Sequence, residues 1–234
     1  MELTERIMEL TEEQAKRRQA FLDWNVESVL PETVGDYRFR RVDRQEGRIY
    51  YAFSYVNEAT GWEVKALFDE ETMDYMVKTD FRLFVMTDIE ILTGNFEDYK
   101  KAVETLLVKN MRRELIERDQ VSVVVRGRAF TVWDWQGALP ETVGHYRRMI
   151  EPSRPLLGLN GSYIIAVYEC RERARGIVFF YNMFRNEYYA EMSAENIPII
   201  IHQYDADSAE HLDQLIRRHL ADDLAALDEA VPVS

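Results

Sequence analysis

Few side chains in this chain are of the kinds that carry out chemistry. The four histidines are His145, His202, His211 and His219. A metal site needs His, Cys or carboxylate ligands converging from short spacings. His211 and His219 stand eight residues apart on one predicted helix, too far to share an ion. None of the four has a Cys or second His at ligand spacing, so no metal and no cofactor is expected. The single cysteine, Cys170, leaves no internal disulfide possible and fits a reducing compartment. As a nucleophile it would need a basic neighbour and a lowered pKa; its plainer reading is a small residue near a strand end. No Gly-x-Ser-x-Gly is present. Paired carboxylates do occur, at Asp69-Glu70-Glu71, Asp88 with Glu90, and Asp222-Asp223, but 42 acids in 234 residues produce such pairs unaided. Acid–base work also requires a pKa shifted by burial in a cleft. The residues therefore point away from an enzyme.

Binding chemistry has better candidates. Arg38, Arg40, Arg41, Arg44 and Arg48 crowd one segment, echoed by Arg147, Arg148 and Arg154. Their plain reading is the solvated face of a strand. Two of them sit in a recurring context, Tyr37-Arg38 and Tyr146-Arg147. Tyr and Arg are favoured interface anchors, so these four residues are the expected binding site. The plainer alternative is that Tyr packs on a helix and Arg pairs with Glu32 or Glu141.

That context is a duplication. Leu30-Pro31-Glu32-Thr33-Val34-Gly35-Asp36-Tyr37-Arg38 returns 109 residues later as Leu139-Pro140-Glu141-Thr142-Val143-Gly144-His145-Tyr146-Arg147, with eight of nine positions identical. The block has one glycine and is no phosphate-cradling loop. Pro and Gly instead mark a turn that sets the entry angle of a strand. At the same offset Phe21 meets Phe130, and Trp24 meets Trp133. Val103, Leu106, Leu107, Met111 and Leu115 meet Leu212, Leu215, Ile216, Leu220 and Leu224, a shared helical face. Both Leu106 and Leu215 are expected to be buried. Between these blocks, Gly61-Trp62 matches Gly176-Ile177 at an offset of 115, so unit two should carry extra residues before that point and fewer after it.

These pieces need elements to position them. The first 28 residues read as helix, with Thr11-Glu12-Glu13-Gln14 as a capping box; Leu3, Ile7 and Leu10 share a face, and translation could equally start at Met8. The acidic start predicts no signal peptide. Strand signals cover Tyr37–Val42, Ile49–Asn57, Trp62–Phe68, Tyr75–Lys78 and Phe81–Ile91 in unit one. In unit two they cover His145–Ile150, Ser162–Cys170, Gly176–Phe184, Glu187–Met192 and Pro198–Tyr204. Short turns favour antiparallel pairing. Long helices close the units at about 96–118 and 207–229, with Asn95 and Asp205 or Asp207 as N-caps. Val121–Val125 reads as an extra strand opening unit two.

The expected fold class is α+β: a tandem duplication of an antiparallel sheet plus a long C-terminal helix. In element order it is similar to helix-grip folds and to each repeat of the TATA-binding protein, though none of those families' residue motifs is present. The expected organisation is an N-terminal helix (1–28), unit one (29–119) and unit two (120–234). The net charge of −13 is spread over both units and opposes nucleic acid and anionic membranes as partners. No apolar run is long enough to span a bilayer. A soluble cytoplasmic protein is expected, a non-catalytic protein-interaction or adaptor module with a protein partner. The rival is a binder of a small apolar ligand held between sheet and helix.

Overall fold

In the computed structural model the described residues are 11–119, 125–158, 161–194 and 197–229. The readings made on Leu3, Ile7, Leu10, the two candidate starts and Val121–Val124 lie outside them; Val125 is a buried turn residue. The fold is α+β, with one antiparallel sheet of six strands and another of seven. Chain contacts divide it into two compact units. The first runs to Thr79 and resumes from Thr87 to Val108; the second takes Asp80–Met86 and everything from Lys109.

The first sheet follows chain order: β1 (Thr33–Val34), β2 (Tyr37–Glu46), β3 (Ile49–Asn57), β4 (Trp62–Asp69), β5 (Asp74–Asp80) and β6 (Val85–Thr93). Helix α1 (Glu12–Asp23) precedes it, opened by the capping box at Thr11 and Gln14. A helix follows it, as α2 (Phe96–Ala102), a π stretch (Val103–Leu107), α3 (Val108–Met111) and a second π stretch (Arg112–Ile116). After α4 (Ala129–Val132), the second sheet is built from β7 (Thr142–Val143), β8 (Tyr146–Ile150), β9 (Leu156–Leu157), β10 (Ser162–Cys170), β11 (Arg175–Asn182), β12 (Glu187–Ala194) and β13 (Ile197–Ala206). Its order is β13-β12-β11-β10-β8-β7, with β9 also on β10, and α5 (Ala209–Glu229) closes the chain.

The two sheets repeat each other in register. β3 pairs with β4 from Ile49↔Asp69 to Asn57↔Trp62, with an irregularity between Tyr51 and Phe53. β10 pairs with β11 from Ser162↔Asn182 to Cys170↔Arg175, with the irregularity between Ile164 and Ala166. Every one of these positions is 113 residues beyond its counterpart. The offset of 115 is therefore corrected. The turn glycine Gly61 (φ 73°) corresponds to Ala174 (φ 47°), which holds the same left-handed backbone without being glycine. Gly176 lies inside β11 for a different reason: a Cβ there would come within 2.1 Å of the Tyr168 carbonyl oxygen. The four added residues sit between β8 and β10, where β9 is inserted, and no compensating loss follows.

The helix register is corrected in the same way. Asn95 caps α2 by accepting from the Glu97 and Asp98 amides. Ser208, and neither Asp205 nor Asp207, does so at α5, where its Oγ accepts from the His211 amide at 3.2 Å. Aligned on these caps, Tyr99, Val103, Leu107 and Met111 match Leu212, Ile216, Leu220 and Leu224, all buried. The two offsets differ by about one helical turn, so an apolar face spaced by fours fits both. Leu106 and Leu215 fall beside that face and are half-buried, not buried. Buried apolar residues recur every fourth position from Tyr99 to Leu115, with Asn110 the one buried polar residue beside them. An α-helix at 3.6 residues per turn would rotate that row off one face, and the wider π turns cancel the drift.

Aromatic rings fill the space between elements. Phe21 of α1 lies 5.2 Å from Tyr50, 5.8 Å from Tyr75, 4.9 Å from Phe96 and 6.1 Å from Tyr99, centroid to centroid. In the second unit Phe130 packs at 5.9 Å from Tyr163 and 4.9 Å from Tyr181. One exchange between the sheets is informative. The cross-strand pair Phe53↔Ala66 corresponds to Ala166↔Phe179, so large and small residues trade sides across the same rung. All four are at most 1% exposed. Volume at the rung is conserved while its placement is not, as close packing demands. Phe53→Ala should cost about 3–5 kcal/mol, and adding Ala66→Phe to it should recover much of that loss. Urea denaturation of the single and double variants checks this; strictly additive losses would show that the rung is not a packing unit.

Candidate interaction site

The repeated block forms a tight hairpin in each unit. Thr33↔Arg38 and Val34↔Tyr37 pair in one, Thr142↔Arg147 and Val143↔Tyr146 in the other. Gly35 and Gly144 turn the chain at φ 57° and 56°, a left-handed conformation that glycine adopts without Cβ strain. The hairpins hold the expected site residues in equivalent places but split each pair. Tyr37 and Tyr146 are buried, while Arg38 and Arg147 are exposed. Neither arginine has an ion-pair partner among the described residues, so neither pairs with Glu32 or Glu141 there.

Tyr146 is held by the closing helix. Its hydroxyl donates to Asp228 Oδ1 at 3.0 Å, and burial, then Asp228, pushes its phenol pKa up. Arg173 pairs with the same carboxylate at 2.9 Å. Buried Arg175 donates to the Leu227 and Asp228 carbonyls at 2.7 and 3.1 Å. These carbonyls end α5 and have no partner within the helix. The cluster thus caps and anchors a helix end. Cys170 lies nearby, buried, with its thiol pushed up by desolvation. That is the reverse of what a nucleophile needs.

The other candidates are absorbed by local structure. His202 and His211 pair with Asp205 at 2.9 Å and Asp207 at 3.5 Å; His145 is exposed and His219 half-buried. Among the described residues no three His, Cys, Asp or Glu side chains are grouped to hold a metal ion. Glu70 accepts from Arg17 and Gln14. Asp69 and Asp88 accept from amides two residues on, and Asp223 takes the Tyr204 hydroxyl at 2.5 Å. Within the arginine-rich segment Arg40 pairs with Glu58, Arg41 with Glu27, Arg44 with Glu46 and Arg48 with Glu71. These four cations each have an acid, and Arg38 of the same segment has none among the described residues. No helix among the described residues is long and apolar enough to cross a membrane.

One surface was not anticipated. β13 is the last strand of its sheet, and its first half carries Ile197, Ile199 and Ile200 at 60, 42 and 73% exposure. Side chains alternate across a strand, so both faces of this edge are apolar and open. The sequence held a signal for it: Pro198 lies inside the strand, and proline is confined to edges because it cannot donate to a ladder. The corresponding edge of the first sheet, β6, also exposes Val85, Ile89 and Leu92, but places Asp88 and Glu90 among them. Charges of that kind are what keep open strand edges from pairing. No protein-family model, curated protein or solved structure matches this chain.

A half-buried ion pair offers a test of how the second unit is held. Arg82 (φ 74°) donates to Glu169 Oε1 at 2.5 Å and to the Arg171 carbonyl at 2.9 Å. Glu169 is 4% exposed, and desolvation raises its pKa against the lowering effect of Arg82. A carboxyl raised in the folded state contributes stability below its ordinary pKa and loses it as pH climbs through the raised value. Removing Arg82 raises Glu169 further. Arg82→Met should therefore cost about 1–3 kcal/mol near pH 7, less near pH 5, and be relieved by Glu169→Gln. Denaturation at the two pH values reads this; a pH-independent loss would show that Glu169 is not the group responsible.

Proposed function

We propose that this protein is a non-catalytic, cytoplasmic protein-interaction module built by duplication of one sheet-and-helix unit. The observation that carries the interaction reading is the open apolar edge of β13, with Ile200 at 73% exposure. An edge of this kind accepts a further strand through main-chain hydrogen bonds, and its side chains set what is accepted. The matching registers and the exchanged Phe/Ala rung support the duplication. The exposed Arg38 and Arg147 are a second, weaker contact surface. The pairing of the Arg40–Arg48 cations with acids supports the absence of a nucleic acid partner. The close ring packing around Phe21 and Phe130 favours interaction over a small apolar ligand in either sheet–helix space.

Co-purification from native extract with wild type, Ile200→Lys and the double variant Arg38→Ala/Arg147→Ala tests this. A polypeptide partner, the chain's own copy included, should be retained by wild type and lost with Ile200→Lys. The lysine is an exposed change and should leave the melting temperature within a degree or two. Retention unchanged in both variants, or no polypeptide retained at all, would overturn the interaction reading.

A further inference from the structure

We infer that the strand β13 accepts is the β13 of a second copy of this chain, antiparallel to it about a two-fold axis at Ile200. The inference rests on the interaction reading above and adds the identity of the partner. The first argument is charge. Ile197-Pro198-Ile199-Ile200-Ile201-His202-Gln203 contains no Asp, Glu, Lys or Arg, so laying it against itself opposes no like charges. An uncharged, β-branched strand is what this edge can accept without stranding a charge, and the chain supplies one. An antiparallel overlay of β6 about Ile89 would instead bring Asp88 against Glu90 of the other copy, like charge to like, which fits the second sheet as the paired one.

The second argument is phase. β13 pairs with β12 through Ile201↔Ala190, Ile200↔Glu191, Ile199↔Met192, Pro198↔Ser193 and Ile197↔Ala194. Pro198 has no N–H and is tolerated in a ladder where its nitrogen points away from the neighbour. Backbone groups alternate sides along a regular strand, and the register is regular from Ile197 to Ile201, so Ile200, in phase with Pro198, directs its N–H and C=O to the open side. An axis at Ile200 uses these groups. The two Ile200 residues exchange N–H···O=C bonds about the axis. The donor that proline lacks falls two residues from the axis, at the end of the regular run. Ile199 then stands opposite Ile201, and Ile197 opposite Gln203. The contact is isologous and closes as a dimer without propagating.

The chain's net charge of −13 sets the sign of the salt effect. Two like-charged copies repel at long range, and salt screens that repulsion, so apolar edge pairing should strengthen as salt rises. A cationic partner would show the opposite dependence.

Sedimentation of the purified full chain from micromolar to millimolar concentration, at about 0.05 M and about 0.5 M salt, is the test. The expected result is a monomer–dimer equilibrium that tightens at the higher salt and is weakened at least about tenfold by Ile200→Lys, which sets two like charges against each other at the axis. Ile200→Cys with oxidised glutathione should form a symmetric disulfide dimer, since hydrogen-bonded antiparallel partners have Cα atoms about 5.5 Å apart, within disulfide reach. Ile197→Cys, opposite Gln203, should form far less. Buried Cys170 does not compete. A chain that stays monomeric throughout, or equal crosslinking of the two cysteine variants, overturns the inference. If that monomer still retains a different polypeptide in an Ile200-dependent way, only the second-copy partner is wrong. If Ile200→Lys also leaves retention unchanged, the interaction reading falls with it.

Discussion

One hydroxyl in each sheet fixes the turn on which the rest is built. Tyr55 of β3 donates to the Pro31 carbonyl at 2.6 Å, and Tyr168 of β10 to the Pro140 carbonyl at 2.7 Å. The proline closes a stretch whose preceding turn is already bonded, with Leu30 and Leu139 donating to the Val26 and Trp135 carbonyls. A carbonyl brought against a sheet needs a donor, and the tyrosine supplies it from inside the core. Phe39 and Arg148 then donate to the Glu32 and Glu141 carbonyls at 2.9 Å, and the hairpin that follows has one geometry available to it. From there the path of β2 or β8 onto its neighbour is set. The irregularity in β3 or β10 falls between this tyrosine and the N-terminal end of its strand, at matched positions.

This explains why the turn block was the most legible part of the chain. Turn and hairpin demand particular residues at Pro31, Gly35 and Tyr37, so the two blocks are nearly identical there. Strand existence was also readable, because alternating aromatic and β-branched residues recur between turn signals; Ile49–Asn57 and Ser162–Cys170 have the bounds their residues suggested. Phe81–Phe84 read as strand on composition, yet Arg82 takes a left-handed backbone and the strand starts only at Val85. Correspondence within the units was harder to see. A glycine was matched to a glycine, although Ala174 performs the turn and Gly176 answers to a close carbonyl. The helix faces were matched one turn out of step because apolar spacing by fours is unchanged by a shift of four. Only the caps break that degeneracy, and three adjacent candidates, Asp205, Asp207 and Ser208, could each have capped α5.

The site was less legible than the fold, for a physical reason. Exposure belongs to sheet order, and sheet order is a long-range property. Tyr146 and Arg147 are neighbours in sequence but face opposite sides of a strand, so one enters the core against Asp228 while the other meets solvent. Nothing in the local sequence says which. Ile-Pro-Ile-Ile-Ile could equally have been a buried central run, since an apolar segment of that length reads the same in both places. Its proline alone argues for an edge.

The two sheets then differ where function would be expected to separate them. Their cores trade Phe for Ala across one rung and remain equivalent, because packing tolerates exchange at constant volume. Their edges do not trade. β6 keeps Asp88 and Glu90 among its apolar residues, whereas β13 carries the uncharged Ile201 and Gln203 at the corresponding positions and isoleucines on both faces. An open edge of that composition is a hazard in a protein that has no use for it. The acid-rich composition of the chain shows that charge was available to guard it. The guard is present on one edge and missing from the other. That asymmetry between edges whose sheets otherwise match is the strongest physical support for the proposed contact surface on β13.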